Sequence, residues 1–294
     1  MKFSNENNLK RIADALERIS PLPIDNKNLD KCNLFLWKTN PDRLVFLEND
    51  YVLGLDLLIG VNYNKDLLYK NTLQFARGFP ANNVLLWGAR GTGKSSLIKL
   101  IHNEISNSNI SLKLVQIQRE DICSMDRLLS TLKKLNKEYN FIIYCDDLSF
   151  SDENDDYKIL KVLLDGGLVE KPRNVIFYCT SNRKHLIPRE MSENAFSSSI
   201  SPTEAIEEKV SLSDRFGLIL GFYPFSQDQY LEMVLNYKNN FKIPISDNKA
   251  IKEAIEWQQT RGARSGRVAW QFIIFLAGKY EISLKSKKIA NYSS

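Results

Sequence analysis

The sequence has no run of eighteen consecutive apolar residues, the length at which a membrane-crossing helix becomes a candidate. Its opening, MKFSNENNLKRIADALERIS, lacks the apolar centre of a secretory signal, so a cytoplasmic location is expected. Cysteine is scarce. The four thiols, Cys32, Cys123, Cys145 and Cys179, form no CxxC pair, which argues against a disulfide framework or a thiolate metal site. Cys145 and Cys179 lie inside apolar strand-like runs, where a thiol behaves as a small core residue. There is no internal repeat. What remains is ordinary for a globular chain: 294 residues, 43% hydrophobic and 26% charged, enough for one large or two modest domains. The net charge of +5 is mildly basic, a weak hint of acidic partners for which a solvated Lys-rich surface is the preferred reading.

Periodicity divides the chain in three. Residues 1–50 are mixed: LKRIADALERI has helical spacing with Ile12, Leu16 and Ile19 on one face, a PLPID turn follows, and NLFLWKT and RLVFLEN read as short strands. From 51 to 224, the apolar runs VLLWG, LKLVQIQ, FIIYCDD, NVIFYCTSN and GLILGF alternate with the helical stretches KSSLIKLIHNEI, SMDRLLSTLKKLNKEY and YKILKVLLDGG and with a polar segment ending in EAIEEKV. Such alternation predicts a parallel α/β sheet with helices on both faces. Residues 225–294 carry no further strand. SQDQYLEMVLNY opens on a Ser226/Gln229 capping box, and AIKEAIEWQQ and RVAWQFIIFLAGKY follow as helices, predicting a small helical lid domain. SENAFSSSISPTEA reads as an exposed loop, IANYSS as a loose tail, and the acidic run SDENDD as a solvated loop and helix cap.

Residues 84–98, VLLWGARGTGKSSLI, match G-x-x-x-x-G-K-[ST] from Gly88 to Ser95, with a strand before and a helix after. The residues between are Ala89, Arg90, Gly91, Thr92 and Gly93, and Ser96 follows. Glycines let such a loop curl so that backbone N–H groups point at phosphate oxygens, and the helix adds its positive end. Lys94 would reach the β- and γ-phosphates, and the Ser95 hydroxyl would enter a Mg²⁺ shell. FIIYCDD then reads as a Walker B strand. Asp146 at its C-terminal end would hold Mg²⁺, and Asp147 would face the water that attacks the γ-phosphate. The pairs Asn26-Lys27, Asn64-Lys65 and Asn248-Lys249 all lack the following Asp of a guanine-reading N-K-x-D motif, so ATP is favoured over GTP.

These motifs, with SLSDRFG and RGARSGRVA, resemble an AAA+ P-loop ATPase. More narrowly, ANNVLLWGARGTGKSSL, CDDLSF and EAIEEKVSLSDRFGL resemble the bacterial AAA+ family catalogued as domain of unknown function 815, over residues 50–280. The resemblance implies that Asn182 is the sensor 1 residue that positions the attacking water. It implies that Arg215 is an arginine finger offered to a neighbouring protomer, hence a homo-oligomer; the alternative is a surface ion pair with Asp214. It implies a sensor 2 arginine at Arg267 or Arg264, two positions that the pattern does not separate. Ile59, Gly60 and Val61 in LLIGVNYNK fall where such proteins hold adenine. Walker B more commonly ends Asp-Glu; Asp147 is one methylene shorter, which withdraws its carboxylate by roughly 1.5 Å and suggests a slower base.

Two functions follow: an oligomeric ATPase that remodels or loads a macromolecule, or a slowly hydrolysing ATP-dependent switch like the helicase loaders. A small-molecule kinase is disfavoured, because no acceptor-binding arginine cluster is evident. The basic pieces RKHLIPR (183–189) and LKSKK (284–288) leave nucleic acid open as a partner, although a solvated cluster is the default reading. Residues 1–50 fall outside the ATPase pattern and are left for partner contact.

Overall fold

The computed structural model describes residues 8–9, 11–12, 15–16, 29–30, 32–47, 53–108, 110–135, 139–150, 156–165, 172–184, 186 and 212–284. The PLPID turn, most of SDENDD, the SENAFSSSISPTEA loop, EAIEEKV and the IANYSS tail lie outside them, as do much of the two basic pieces and Ile19.

The five apolar runs of the middle section are strands: β3 (Val84–Gly88), β4 (Leu112–Ile117), β5 (Asn140–Cys145), β6 (Val175–Ser181) and β7 (Leu218–Phe222). They pair in parallel in the order β4-β5-β6-β3-β7. Every residue of β6 is buried, which explains why its sequence shows no polar alternation. Alternate residues feed two separate cores. Val84, Leu86, Ile142, Tyr144 and Ile176 face one side, and Leu85, Ile143, Cys145, Val175 and Phe177 the other.

The first face is covered by α1 (Asn62–Ala76) and α2 (Lys94–Ser106), the second by α3 (Met125–Lys134) and α4 (Asp156–Asp165). The first core continues into three C-terminal helices, α5 (Gln227–Asn240), α6 (Asp247–Gln259) and α7 (Gly266–Lys279). Helix α5 starts at the expected capping box: Gln229 N donates to Ser226 Oγ at 3.2 Å, and Ser226 N donates to Gln229 Oε1 at 2.9 Å. On α7 the buried residues Val268, Ala269, Phe272, Ile273, Leu276 and Ala277 recur at helical spacing and form a single face.

The N-terminal part differs from expectation in one respect. Its two strands, β1 (Leu34–Lys38) and β2 (Arg43–Phe46), do not stand apart from the sheet but extend it to seven strands. Strand β1 runs parallel to β4, and β2 folds back antiparallel as the edge. Burial drives this: Phe35 and Trp37 are almost fully enclosed, and Trp37 Nε1 donates to Ser124 Oγ at 2.7 Å. A buried lysine ties the preceding residues to β4. Lys113 Nζ donates to Leu29 O (2.6 Å), Cys32 O (3.0 Å) and Asn33 Oδ1 (2.8 Å). Further upstream, residues 8–9, 11–12 and 15–16 are helical, with Leu9, Ile12 and Leu16 exposed.

Candidate functional site

The site forms where β3, β5 and β6 end. Strand β3 finishes at Gly88, whose φ of 133° and contact with β7 admit only glycine: a Cβ there would lie 1.9 Å from Phe222 O. The loop is pinned by Ala89 N donating to Phe222 O at 3.0 Å and Thr92 Oγ1 donating to Ala89 O at 2.8 Å. Gly91 and Gly93 have left-handed φ values of 73° and 93°, turning the chain so that α2 begins at Lys94. The first turn of α2 carries no acidic residue, so its N–H groups and positive dipole end face the loop uncompensated.

Lys94 is buried, and its Nζ donates to Gly88 O (2.7 Å), Ala89 O (2.8 Å) and Asn182 Oδ1 (3.4 Å). Burial lowers its pKa. Asp147 and Asp146 oppose that shift, while Arg267 and Arg90 add to it.

The two aspartates of FIIYCDD have different surroundings. Asp146 Oδ1 accepts from Ser95 Oγ at 2.6 Å and from Thr180 Oγ1 at 2.5 Å. Burial pushes its carboxyl up, but the hydrogen bonds from Ser95 and Thr180, with the Tyr144 hydroxyl and Lys99 nearby, outweigh it, and the net pKa lies below the ordinary value. Asp147 is exposed and has a left-handed backbone, φ 52°, which costs an L-residue on the order of 1 kcal/mol. That turn is held from β6: Asp147 N donates to Thr180 Oγ1 at 2.9 Å, and Leu148 N to Thr180 O at 2.7 Å. Asn182 Nδ2 donates to Asp147 Oδ1, so Asn182 bridges Lys94 and Asp147.

A cavity of about 610 Å³ opens above these groups. Its polar floor is the stretch from Arg90 to Ser96 together with Asp146, Asp147, Thr180 and Asn182. Its apolar end is built from Leu58, Ile59, Val61, Phe225, Tyr237 and Trp270. Gly60 lies between two lining residues with φ 76°, its backbone against the Phe225 ring. The start of α7 docks on the phosphate loop: Arg267 N donates to Gly91 O at 3.3 Å, and a Cβ on Gly91 would approach Ser265 Oγ to 2.9 Å. This docking brings Arg267 into the cavity wall. Arg264 is not among the lining residues; its Nη2 donates to Gln227 Oε1 at 3.3 Å on the exposed surface. Arg215 lies half-buried just before β7 and does not line the cavity either.

Sequence reasoning missed Thr180, Tyr144 and Trp270. Thr180 had a signal: it sits two residues before Asn182, hence on the same face of β6, and the register pairing Cys145 with Cys179 sets it opposite Asp146. Trp270 lies one turn after Arg267, which would have placed it beside the same cleft.

A mostly parallel sheet with a glycine loop on the strand next to its β7 edge, a carboxylate on the next strand but one, and three helices after the sheet defines the AAA+ P-loop fold. Within that class, the chain belongs to the family described as "Protein of unknown function (DUF815)", whose sequence profile matches residues 30–280. One solved structure supports the fold. The Aeropyrum pernix Orc1 protein in complex with DNA is 15% identical, with 82% of this chain and 68% of that one covered and a TM-score of 0.52. The FIGL-1 AAA domain with ADP (17% identical, 78% and 74% covered, TM-score 0.49) and the Thermotoga maritima RuvB Holliday junction branch migration motor (15%, 80% and 74%, 0.44) are similar at a coarser level. No curated protein matches.

Proposed function

We propose that the protein is a Mg·ATP-dependent ATPase that turns over at an interface between protomers and uses the cycle to remodel or load a macromolecular partner. One observation carries the ATPase reading: a single cavity is lined at once by the phosphate loop, the Ser95–Asp146 pair, the Asp147–Asn182 pair and Arg267. The apolar end suits a flat base, and Ile59, Gly60 and Val61 offer it backbone groups.

The cation fits the residues present. The described residues hold no cluster of three His, Cys, Asp or Glu side chains that could cage a metal. A hydroxyl and one ionised carboxylate, hard oxygen donors only, match a cation that takes its remaining ligands from water and phosphates. When bound, Mg²⁺ supplies neutralisation of charge on the β- and γ-phosphate oxygens. In this reading the rest is done by the chain. Lys94 and Arg267 bind phosphate oxygens, and the N–H groups of Gly91 to Ser95 cradle them. Asp147 accepts the proton of the attacking water, and Asn182 orients that water. Arg215, lying outside its own cavity, acts on the neighbour's γ-phosphate.

A second reading, a slowly hydrolysing switch, is favoured by Asp147 itself. It is a short carboxylate on a left-handed residue, already engaged by Asn182. Steady-state ATP turnover per protomer, measured across a wide range of protein concentration, separates the two. A rate that climbs with concentration and collapses in Arg215→Ala supports the shared site. A flat, negligible rate with intact ATP binding supports the switch. Asp147→Asn should spare binding and remove roughly 10²–10⁴-fold of turnover; normal turnover in that variant would remove Asp147 from its role. Single- and double-stranded DNA added to the same assay tests a nucleic-acid client of the kind seen with Orc1.

A further inference from the structure

One buried polar atom beside the site lacks a proper partner. Tyr144, on β5, is fully buried, and its hydroxyl makes no hydrogen bond of acceptable geometry. A phenol oxygen left so in a core costs about 1–3 kcal/mol, so a position that only needed an aromatic ring would be better filled by phenylalanine. The surroundings explain the oxygen. Tyr144 and Asp146 are two residues apart on one strand end and share a face. Across from them, Ser95 and Lys99 are four apart on α2 and also share a face. Lys99 Nζ lies 5.9 Å from the centre of the Tyr144 ring, and Ser95 Oγ donates to Asp146 Oδ1 at 2.6 Å. The Tyr144 hydroxyl thus lies beside the Ser95 hydroxyl and the Asp146 carboxylate.

Asp146 has its first oxygen occupied twice, by Ser95 and Thr180. We propose that the Tyr144 hydroxyl is a positioning group for the divalent-cation site, a third donor that holds the Asp146 carboxylate and the Ser95 hydroxyl in the orientation the cation needs. Tyr144 itself touches neither cation nor nucleotide. It acts through Asp146 and Ser95, as groups behind metal ligands generally do. The inference rests on the Mg·ATP reading above, and its test is arranged so that the two can fail separately.

The test substitutes Tyr144→Phe in the full chain, which keeps the ring and its packing and removes only the unpaired oxygen. Mn²⁺, read by its paramagnetic resonance, is titrated into wild type and variant saturated with a non-hydrolysable ATP analogue. Affinity for the analogue is measured separately in excess EDTA. The expected result is a roughly tenfold weaker Mn²⁺ affinity in the variant, with unchanged affinity for the analogue in EDTA and a thermal midpoint no lower than wild type. Equal Mn²⁺ affinity in the two proteins overturns the role of Tyr144 and leaves the ATPase reading standing. Parallel losses of cation and EDTA-nucleotide affinity overturn it too, since they mark a general loosening of the site. If wild type takes up no analogue under either condition, the ATPase reading falls and this inference with it.

Discussion

Two lysines at distant places in the molecule make almost the same contacts. Lys94, after the phosphate loop, and Lys113, on β4, are 7% and 4% exposed. Each donates to two backbone carbonyls and one asparagine side-chain oxygen: Gly88, Ala89 and Asn182 for Lys94, and Leu29, Cys32 and Asn33 for Lys113. Burial lowers the pKa of both, and neighbouring carboxylates oppose it in both. Their donor sets do not distinguish a binding lysine from a structural one. The surroundings do. Lys94 faces a cavity of about 610 Å³, among glycines in left-handed conformations and with Arg267 and Arg90 adding positive charge. Lys113 is closed in, with the Tyr139 ring 5.0 Å from its Nζ and Asp30 nearby. Surplus positive charge beside open space calls for an anion from outside; balanced charge without space is a staple.

The sharpest way to break this contrast is to remove each amine in turn. Lys94→Ala should weaken ATP binding by about 100-fold, the scale of losing charge-assisted hydrogen bonds to phosphate, with the denaturant midpoint little changed. Lys113→Met should do the reverse: about 2 kcal/mol of stability lost through the stranded carbonyls of Leu29 and Cys32, and ATP affinity within twofold of wild type. Isothermal titration and urea unfolding of the two variants provide both numbers. If Lys113→Met also lost nucleotide binding, the distinction drawn from cavity and charge would be wrong.

The Lys113 side holds a second buried base, His102 on α2. Its Nε2–H donates to Leu112 O at 3.2 Å, and its Nδ1 is enclosed without a partner. Burial first, then Lys113, lowers its pKa to about 4, against the upward pull of the Leu112 carbonyl. Below about pH 6.5 the unfolded chain gains a proton that the folded one refuses. The stability due to the neutral ring is therefore complete above pH 6.5 and lost as the pH falls towards 4. The full effect is about 3 kcal/mol. Urea midpoints taken from pH 7 to 4.5 should slope steeply in wild type and more gently in His102→Gln. An unchanged slope would mean that His102 is protonated while folded.

How much of this was legible in the sequence depended on whether the cause was local. Strands β3 to β7 showed as near-continuous apolar runs because both of their faces are buried. The turn from β3 through the glycine loop into α2 showed because G-x-x-x-x-G-K-[ST] is a local pattern of residue type and spacing. The addition of β1 and β2 to the sheet was not legible, since β1 pairs with β4 across most of a hundred residues and no local pattern encodes that choice. Nothing in the run LKLVQIQ sets Lys113 apart; only the fold brings Leu29, Cys32 and Asn33 to it. Tyr144 sits in the apolar run FIIYCDD, which accounts for its buried ring, while the meaning of its oxygen depends on α2 lying opposite. Thr180 was legible in principle from the two-residue period of β6.

The choice between Arg264 and Arg267 is the finest form of the comparison, because both are exposed arginines three residues apart before or at the start of one helix. Sequence spacing cannot separate them, but docking can. The contact of Arg267 N with Gly91 O and the absence of space for a side chain on Gly91 fix the first turn of α7 against the phosphate loop, which puts Arg267 in the cavity wall and turns Arg264 towards Gln227. Arg267→Ala should therefore weaken ATP affinity roughly tenfold, about 1.4 kcal/mol, and ADP affinity less, since the lost partner is the terminal phosphate. Arg264→Ala should change either by less than twofold, as expected for an exposed polar contact. Fluorescent-nucleotide titration resolves a difference of this size. A reversed order would mean that α7 meets the bound nucleotide about one turn out of register with its present seat on Gly91.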